Sequence, residues 1–260
     1  MDYNNISLFD THAHYDDRAF DGDRFELLDR LFASGEVCGI VNAGTNTVTS
    51  ASSAALAERY DNVWFAAGIH PSDAGKTGGS ELEQIRLLLA HPKCVAVGEI
   101  GLDYHYADNP PREVQLNWLD MQLSLAEEAD KPAIIHDREA HGDILDMLRA
   151  HKSARCVLHS YSGDADMLRK LVGDGRYISF SGVATFKNAA ATLDCARAVP
   201  DELILIETDC PYLAPHPHRG KRCDSGLMRH TTAAIAASRG VDYNEFAALT
   251  VKNAKNFFRI

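Results

Sequence analysis

LFDTHAH, residues 8–14, opens on apolar residues and closes on two histidines separated by one residue. In an extended segment alternate side chains point the same way. His12 and His14 therefore share one side and can meet one metal ion. The same design recurs along the chain. VGE (97–99) closes on Glu99, PAIIH (132–136) on His136, CVLH (156–159) on His159, and LILIETD (203–209) reaches Asp209. Burying a lone carboxylate or imidazole is costly unless it is paired, and taken singly each residue reads as a cap or a satisfied core group. Five apolar runs that finish in ligand types need a common cause. Parallel barrel strands supply one, because they deliver their carboxyl-terminal ends to one rim, where barrel active sites sit.

Eight short apolar runs fall at Ile6–Asp10, Val37–Asn42, Val63–Ile69, Cys94–Glu99, Ala133–His136, Cys156–His159, Tyr177–Ser179 and Leu203–Glu207. Each is bounded by Gly, Pro or polar residues, as expected of strands buried on both faces. Amphipathic stretches lie between them. Arg112–Glu128 places Val114, Leu116, Leu119, Leu123 and Leu125 near a helical period. Asp143–Ala150, Asp164–Val172, Leu227–Arg239 and Tyr243–Phe258 also read as helices. Alternating strands and helices predict an α/β fold, and eight such units close into a TIM-type (β/α)₈ barrel. The 260-residue length suits one such domain over 1–260. The alternative, an open doubly wound sheet, lacks the G-x-G-x-x-G that would follow its first strand.

Hydrophobic residues make up 45% of the chain and charged residues 24%, as in ordinary globular proteins. No apolar run approaches the roughly 20 residues that span a bilayer. The start, MDYNNISLFD, does not read as a secretory signal, and a cytoplasmic protein is expected. The six cysteines are scattered and read as reduced thiols. A net charge of -11 argues against a protein that grips long nucleic acid through a basic face. It leaves room for an enzyme that engages a short strand end through metal ions. Neither a membrane nor an obligate protein partner is indicated.

The ligand types number four histidines and two carboxylates, more than one closed structural zinc site needs. A carboxylate such as Glu99 can bridge two ions roughly 3.5–4 Å apart. His12, His14 and Asp209 would complete one shell, and His136 and His159 the other. Asp209 is the candidate to orient or deprotonate the attacking water. Arg138, Lys187, Arg219 and Lys221 follow candidate strands and are placed to meet phosphates, with His70 at the third strand end as a further substrate contact. Ordinary surface charge is the competing reading for the cations, and it applies to Lys221 and Arg222 with equal force. His105, His216 and His218 read as structural.

These segments together resemble the TatD family of metal-dependent deoxyribonucleases, within the amidohydrolase superfamily. The resemblance covers nearly the whole chain. It rests on FDTHAHYDD (9–17), AAGIHPSDA (66–74), VGEIGLDYH (97–105), Gln115, KPAIIHDREA (131–140), LHSYSG (158–163), ATFKNA (184–189) and ETDCPYLAPHPHRGKR (207–222). It implies a (β/α)₈ barrel holding two divalent metals, with His12, His14, Glu99 and Asp209 as one set and Glu99, His136 and His159 as the other. It also implies phosphodiester hydrolysis of DNA, often from a 3′ end, and activity with magnesium. The histidine-rich donor set itself favours zinc, manganese or iron.

Two departures stand out. Cys223, Asp224, Ser225 and Gly226 occupy positions where the family commonly has Asn and Pro, so this loop is expected to bear on substrate choice. Cys210 stands where the family usually has Ser, and reads as a packing residue. The rival function is a small-molecule amidohydrolase or lactonase. Many such barrels bridge their metals with a carboxylated strand-end lysine, whereas here Glu99 stands there and no lysine ends a ligand strand. A binding protein on a retained barrel would be favoured only if ligands were missing.

Overall fold

The computed structural model describes residues 6–76 and 78–260. Residues 1–5 of the amino-terminal stretch read as lacking a signal thus lie outside the described residues. The strands are β1 (Leu8–Ala13), β2 (Val37–Ala43), β3 (Val63–Ala67), β4 (Cys94–Asp103), β5 (Ala133–Arg138), β6 (Cys156–Leu158), β7 (Tyr177–Phe180) and β8 (Ile204–Ile206). The helices are α1 (Arg24–Ala33), α2 (Thr47–Arg59), α3 (Gly79–Leu89), α4 (Arg112–Glu128), α5 (His141–Ala150), α6 (Ala165–Gly173), α7 (Ala190–Ala198), α8 (Met228–Arg239) and α9 (Tyr243–Phe258).

All eight strands form one parallel sheet in the order β1 to β8. Closure falls between β1 and the segment after β8. The Asp209 amide donates to the His12 carbonyl at 2.9 Å, and the His14 amide to the Cys210 carbonyl at 2.8 Å. The expected barrel is therefore present.

Two apolar layers hold it. Phe9, Val41, Ala66, Ala96, Ile134, Val157 and Leu205 form a cluster that every strand joins, with Tyr177 packed against it from β7. Phe257 and Phe258 of α9 complete this cluster, and Phe258 stacks on Phe9. A larger cluster takes in side chains from the strands and the helices around them, among them Ile40, Phe65, Ile100, Leu28, Ile85 and Leu119. Side-chain caps start several helices. Asn46 accepts from the amides of Val48 and Thr49 at α2, and Asp242 from those of Asn244 and Glu245 at α9.

The expected strand ends shift by one to four residues, most at β1 and β4. β1 runs on to Ala13, because pairing with β2 continues beyond the apolar residues. Glu99 does not end its strand, since β4 continues to Asp103 while paired with β5. The strand stays regular enough to pair, but its register with β5 shifts between Val97 and Ile100, around Glu99. Gly101 allows that close pairing: its φ is 148°, and a Cβ there would meet the His136 carbonyl oxygen at 2.0 Å.

Candidate metal centre

The carboxyl ends of the strands bring His12, His14, Glu99, His136, His159 and Asp209 together around the Glu99 carboxylate. Its two oxygens face different neighbours. Oε2 lies 3.3 Å from His12 Nε2 and 3.6 Å from His14 Nε2. Asp209 Oδ1 joins that side at 3.3 Å from His14 Nε2. Oε1 lies 2.9 Å from both His136 Nδ1 and His159 Nε2. His70 Nε2 stands farther off, 3.7 Å from Oε1. The two sides abut, since the His12 and His159 rings stack at 4.1 Å between centroids.

The outward nitrogens assign the tautomers. His14 Nδ1 donates to the Ala43 carbonyl at 2.9 Å. His136 Nε2 donates to Asp103 Oδ2 at 3.1 Å, and His159 Nδ1 to Glu207 Oε1 at 3.2 Å. In the neutral ring each of these leaves a lone pair aimed at Glu99. Yet His12 and His14 face each other at 3.0 Å, and His136 and His159 at 3.2 Å. Lone pairs at such separations repel unless a proton or a cation lies among them. Nitrogen and carboxylate donors, with His14, His136 and His159 each fixed by an outer partner, make a set that fits divalent ions. Candidate metal-holding groups fall on His12, Glu99 and His159, on His12, His14 and Asp209, and on His70, Glu99 and His136.

The electrostatics of the side chains alone carry the same message. Burial pushes the Glu99 carboxyl up, but the imidazoles around it, His159 foremost and then His12 and His70, hold it well below the usual range. Burial opposes charging His14, yet Asp209 and Glu99 carry it up to about 9. His159 is likewise raised, against burial, by Glu99 and Glu207. Metal binding to these imidazoles must therefore displace protons.

Asp209 adopts a left-handed backbone, with φ of 58°. For a non-glycine residue this conformation is uncommon and clusters at functional sites. It opens a turn in which the Tyr212 amide donates to the Asp209 carbonyl at 2.9 Å.

Asp103, Glu207 and Asp10 were not singled out in the sequence, although each is a carboxylate inside or beside an apolar run. Asp103 and Glu207 hold His136 and His159. Such outer partners typically contribute about 10–100-fold in metal affinity or activity. Asp103→Asn and Glu207→Gln are each expected to weaken metal binding and turnover by that amount while leaving the melting temperature near that of the parent. Metal titration followed by calorimetry checks this, and unchanged affinity in both variants would remove the positioning role. Asp10 is buried, accepts from Thr208 and Ser225, and has its carboxyl pushed up to about 6 by burial.

The expected substrate contacts divide. His70 lines a cavity of about 430 Å³ that opens over the cluster, and Arg138 lines an adjoining one of about 620 Å³. Both cavities share His136, His159, Asp209 and Tyr212. Lys187 and Arg219 are exposed and line neither cavity, and Arg219 lies over the Phe186 ring at 3.7 Å. The Cys223–Gly226 loop, expected to bear on substrate choice, lines neither cavity. Ser225 is buried, donates to Asp10 at 2.7 Å and accepts from Tyr15 at 2.9 Å, so the loop braces the back of β1. Cys210 is buried, as its packing role requires.

The family described as TatD related DNase matches residues 9–259. The metal-dependent hydrolase YabD of Bacillus subtilis is 38% identical over 97% of this chain and 99% of its own. The 3'-5' ssDNA/RNA exonuclease TatD of Escherichia fergusonii is 33% identical over 97% and 99%. Among solved structures, the TatD homolog YJJV from Escherichia coli superposes with a TM-score of 0.91 at 32% identity, covering 97% of this chain and 98% of that one.

Proposed function

Because the chain belongs to the TatD related DNase family of metal-dependent hydrolases, we propose that it cleaves phosphodiester bonds of single-stranded DNA from a 3′ end. His12, His14, Glu99 and Asp209 would hold one divalent ion, and Glu99, His136 and His159 a second. The observation that carries this reading is the division of Glu99, one oxygen toward each ligand set. Support for the substrate comes from relatives named 3'-5' ssDNA/RNA exonuclease. The net charge of -11 disfavours gripping a long duplex.

A phosphodiester resists hydrolysis because its negative charge repels hydroxide. Divalent ions, when bound, lower the pKa of water and neutralise charge on phosphate oxygens. The chain's own residues do the rest. Asp209 Oδ1 orients the attacking water and receives its proton. Glu99 fixes the two histidine sets relative to each other. His70 Nδ1 accepts from the Ser72 amide at 3.2 Å, so its neutral ring carries a proton on Nε2, and the residue lines the cavity. Burial and the charge of His136 hold His70 down to about 4, which keeps it neutral and able to donate to a phosphate oxygen. Arg138 offers a second donor at the cavity wall. Lys187 and Arg219 are assigned to phosphates farther along a strand.

Magnesium is the working metal in this reading, with zinc or manganese as alternatives. The protein would act in the cytoplasm, as one barrel domain over 1–260 and without an obligate protein partner. Its free cysteines agree with that, and among the described residues no helix is long and apolar enough to cross a membrane. A metal-by-substrate matrix on the purified protein tests the proposal. End-labelled single-stranded DNA should be shortened stepwise with magnesium or manganese, and long duplex should be cut poorly. Hydrolysis of amides or lactones, with no phosphodiester cleaved under magnesium, manganese, zinc or cobalt, would replace it with the amidohydrolase reading.

A further inference from the structure

Two large aromatic rings stand exposed at the mouth of the metal cluster. Tyr212 is 53% exposed and Tyr106 is 52% exposed. Both line the 620 Å³ cavity that also contains His136, His159 and Asp209. Tyr212 lines the other cavity as well, so its ring stands where the two meet. An exposed ring gains little from folding, since most of its apolar surface stays in water. Its placement here calls for another reason.

Tyr212 is tied at both ends. Its hydroxyl donates to Asp17 Oδ2 at 2.9 Å, and its amide is tied to Asp209. The ring lies 6.4 Å from the His14 ring, at 62° to it. The hydroxyl is thus committed to Asp17 and is not free to read a base edge, while much of the ring remains open. Tyr106 differs, because Arg138 already lies over its ring at 5.4 Å.

We propose that Tyr212 is a stacking platform for the nucleobase next to the scissile phosphate. This rests on the phosphodiesterase reading above and adds a positioning residue to it. A fixed ring beside Asp209 would set the terminal nucleotide over the ligand cluster while its phosphate reaches the reacting centre. Stacking accepts every base because every base has a π-face. The enzyme would then require a base at the strand end without choosing among bases.

The test compares a single-stranded oligodeoxynucleotide with a strand whose terminal residues are abasic. Tyr212→Leu should lower kcat/KM on the intact strand by roughly 5- to 100-fold, chiefly through KM, the range that base–aromatic stacking spans. The same substitution should cost several-fold less on the abasic strand, because ring and base act as a coupled pair. Tyr212→Phe keeps the ring and should retain most of the parental value. Equal losses on both strands, with Tyr212→Phe as damaging as Tyr212→Leu, would overturn the proposal and leave Tyr212 as a support for Asp17. A binding readout separates this inference from the reading beneath it. A strand ending in 2-aminopurine should lose fluorescence on binding the parent and keep it with Tyr212→Leu. If the parent cleaves no phosphodiester yet quenches the probe through Tyr212, the cleavage reading falls and the platform stands. Absence of Tyr212-dependent quenching sinks the platform.

Discussion

Glu99→Gln is expected to leave the barrel folded, to reduce bound metal well below the parental content, and to lower turnover by roughly 10³-fold or more. The size follows from metal-ion catalysis being worth several kcal/mol of transition-state stabilisation, with each 1.36 kcal/mol a factor of ten. The shape of the side chain is unchanged. Its chemistry is not, because an amide has one acceptor oxygen and one donor nitrogen. Whichever way the amide turns, one ligand set loses its oxygen, and an N–H points at imidazole lone pairs instead. The fold should tolerate this. In the protein without ions, Glu99 is the anion that does most to raise His159, while His14 and His136 are raised first by Asp209 and Asp103. Removing the Glu99 charge therefore favours neutral His159 and leaves the other two beside a carboxylate, so no unpaired cation stays buried. Metal stoichiometry, turnover and melting temperature of the variant and the parent check this. A variant that holds two ions and turns over at near-parental rate would end the bridging assignment.

The six residues that cluster around Glu99 were legible in the sequence because their signal is local. Each residue closes an apolar run, and strand periodicity puts His12 and His14 on one side without any knowledge of the fold. The alternation of runs and amphipathic stretches carried the barrel for the same reason. What failed was set by pairing between distant segments. β4 outlasts Glu99 because β5 continues beside it, and nothing within VGEIGLD says so. Asp103 and Glu207 look like ordinary acids until His136 and His159 are seen donating to them. The Cys223–Gly226 loop read as bearing on substrate choice because it departs from the family's Asn and Pro. Its position is fixed instead by the Ser225 bonds to Asp10 and Tyr15, more than 200 residues earlier. The exposure of Tyr212 is likewise a tertiary fact. ETDCPYL marks the residue, but the left-handed turn at Asp209 and the bond to Asp17 decide where its ring stands.

Asp209→Asn separates proton handling from assembly of the site. Asp209 lies at the seam where the segment after β8 meets β1, and its backbone amide is bonded to the His12 carbonyl. That bond survives the substitution, so the seam should hold. The side chain sits on the His12 and His14 side of Glu99, at 3.8 Å and 3.3 Å from their inner nitrogens. It is not one of the groups bonded to His136 and His159, whose anchors Asp103 and Glu207 are untouched. Burial pushes the Asp209 carboxyl up, but the hydrogen bond and charge of His14 bring it below the usual range. It is therefore ionised and able to accept a proton at neutral pH. Asparagine keeps the shape and removes nearly all of the basicity. General-base contributions are about 10²–10⁴-fold, and turnover should fall by that factor, more if the neighbouring ion is also lost. Saturating metal distinguishes the two causes: a deficit that persists with full stoichiometry belongs to the proton, and one that metal repairs belongs to the ligand. Near-parental turnover at saturating metal would instead take the proton away from Asp209 and leave Glu99 as its acceptor.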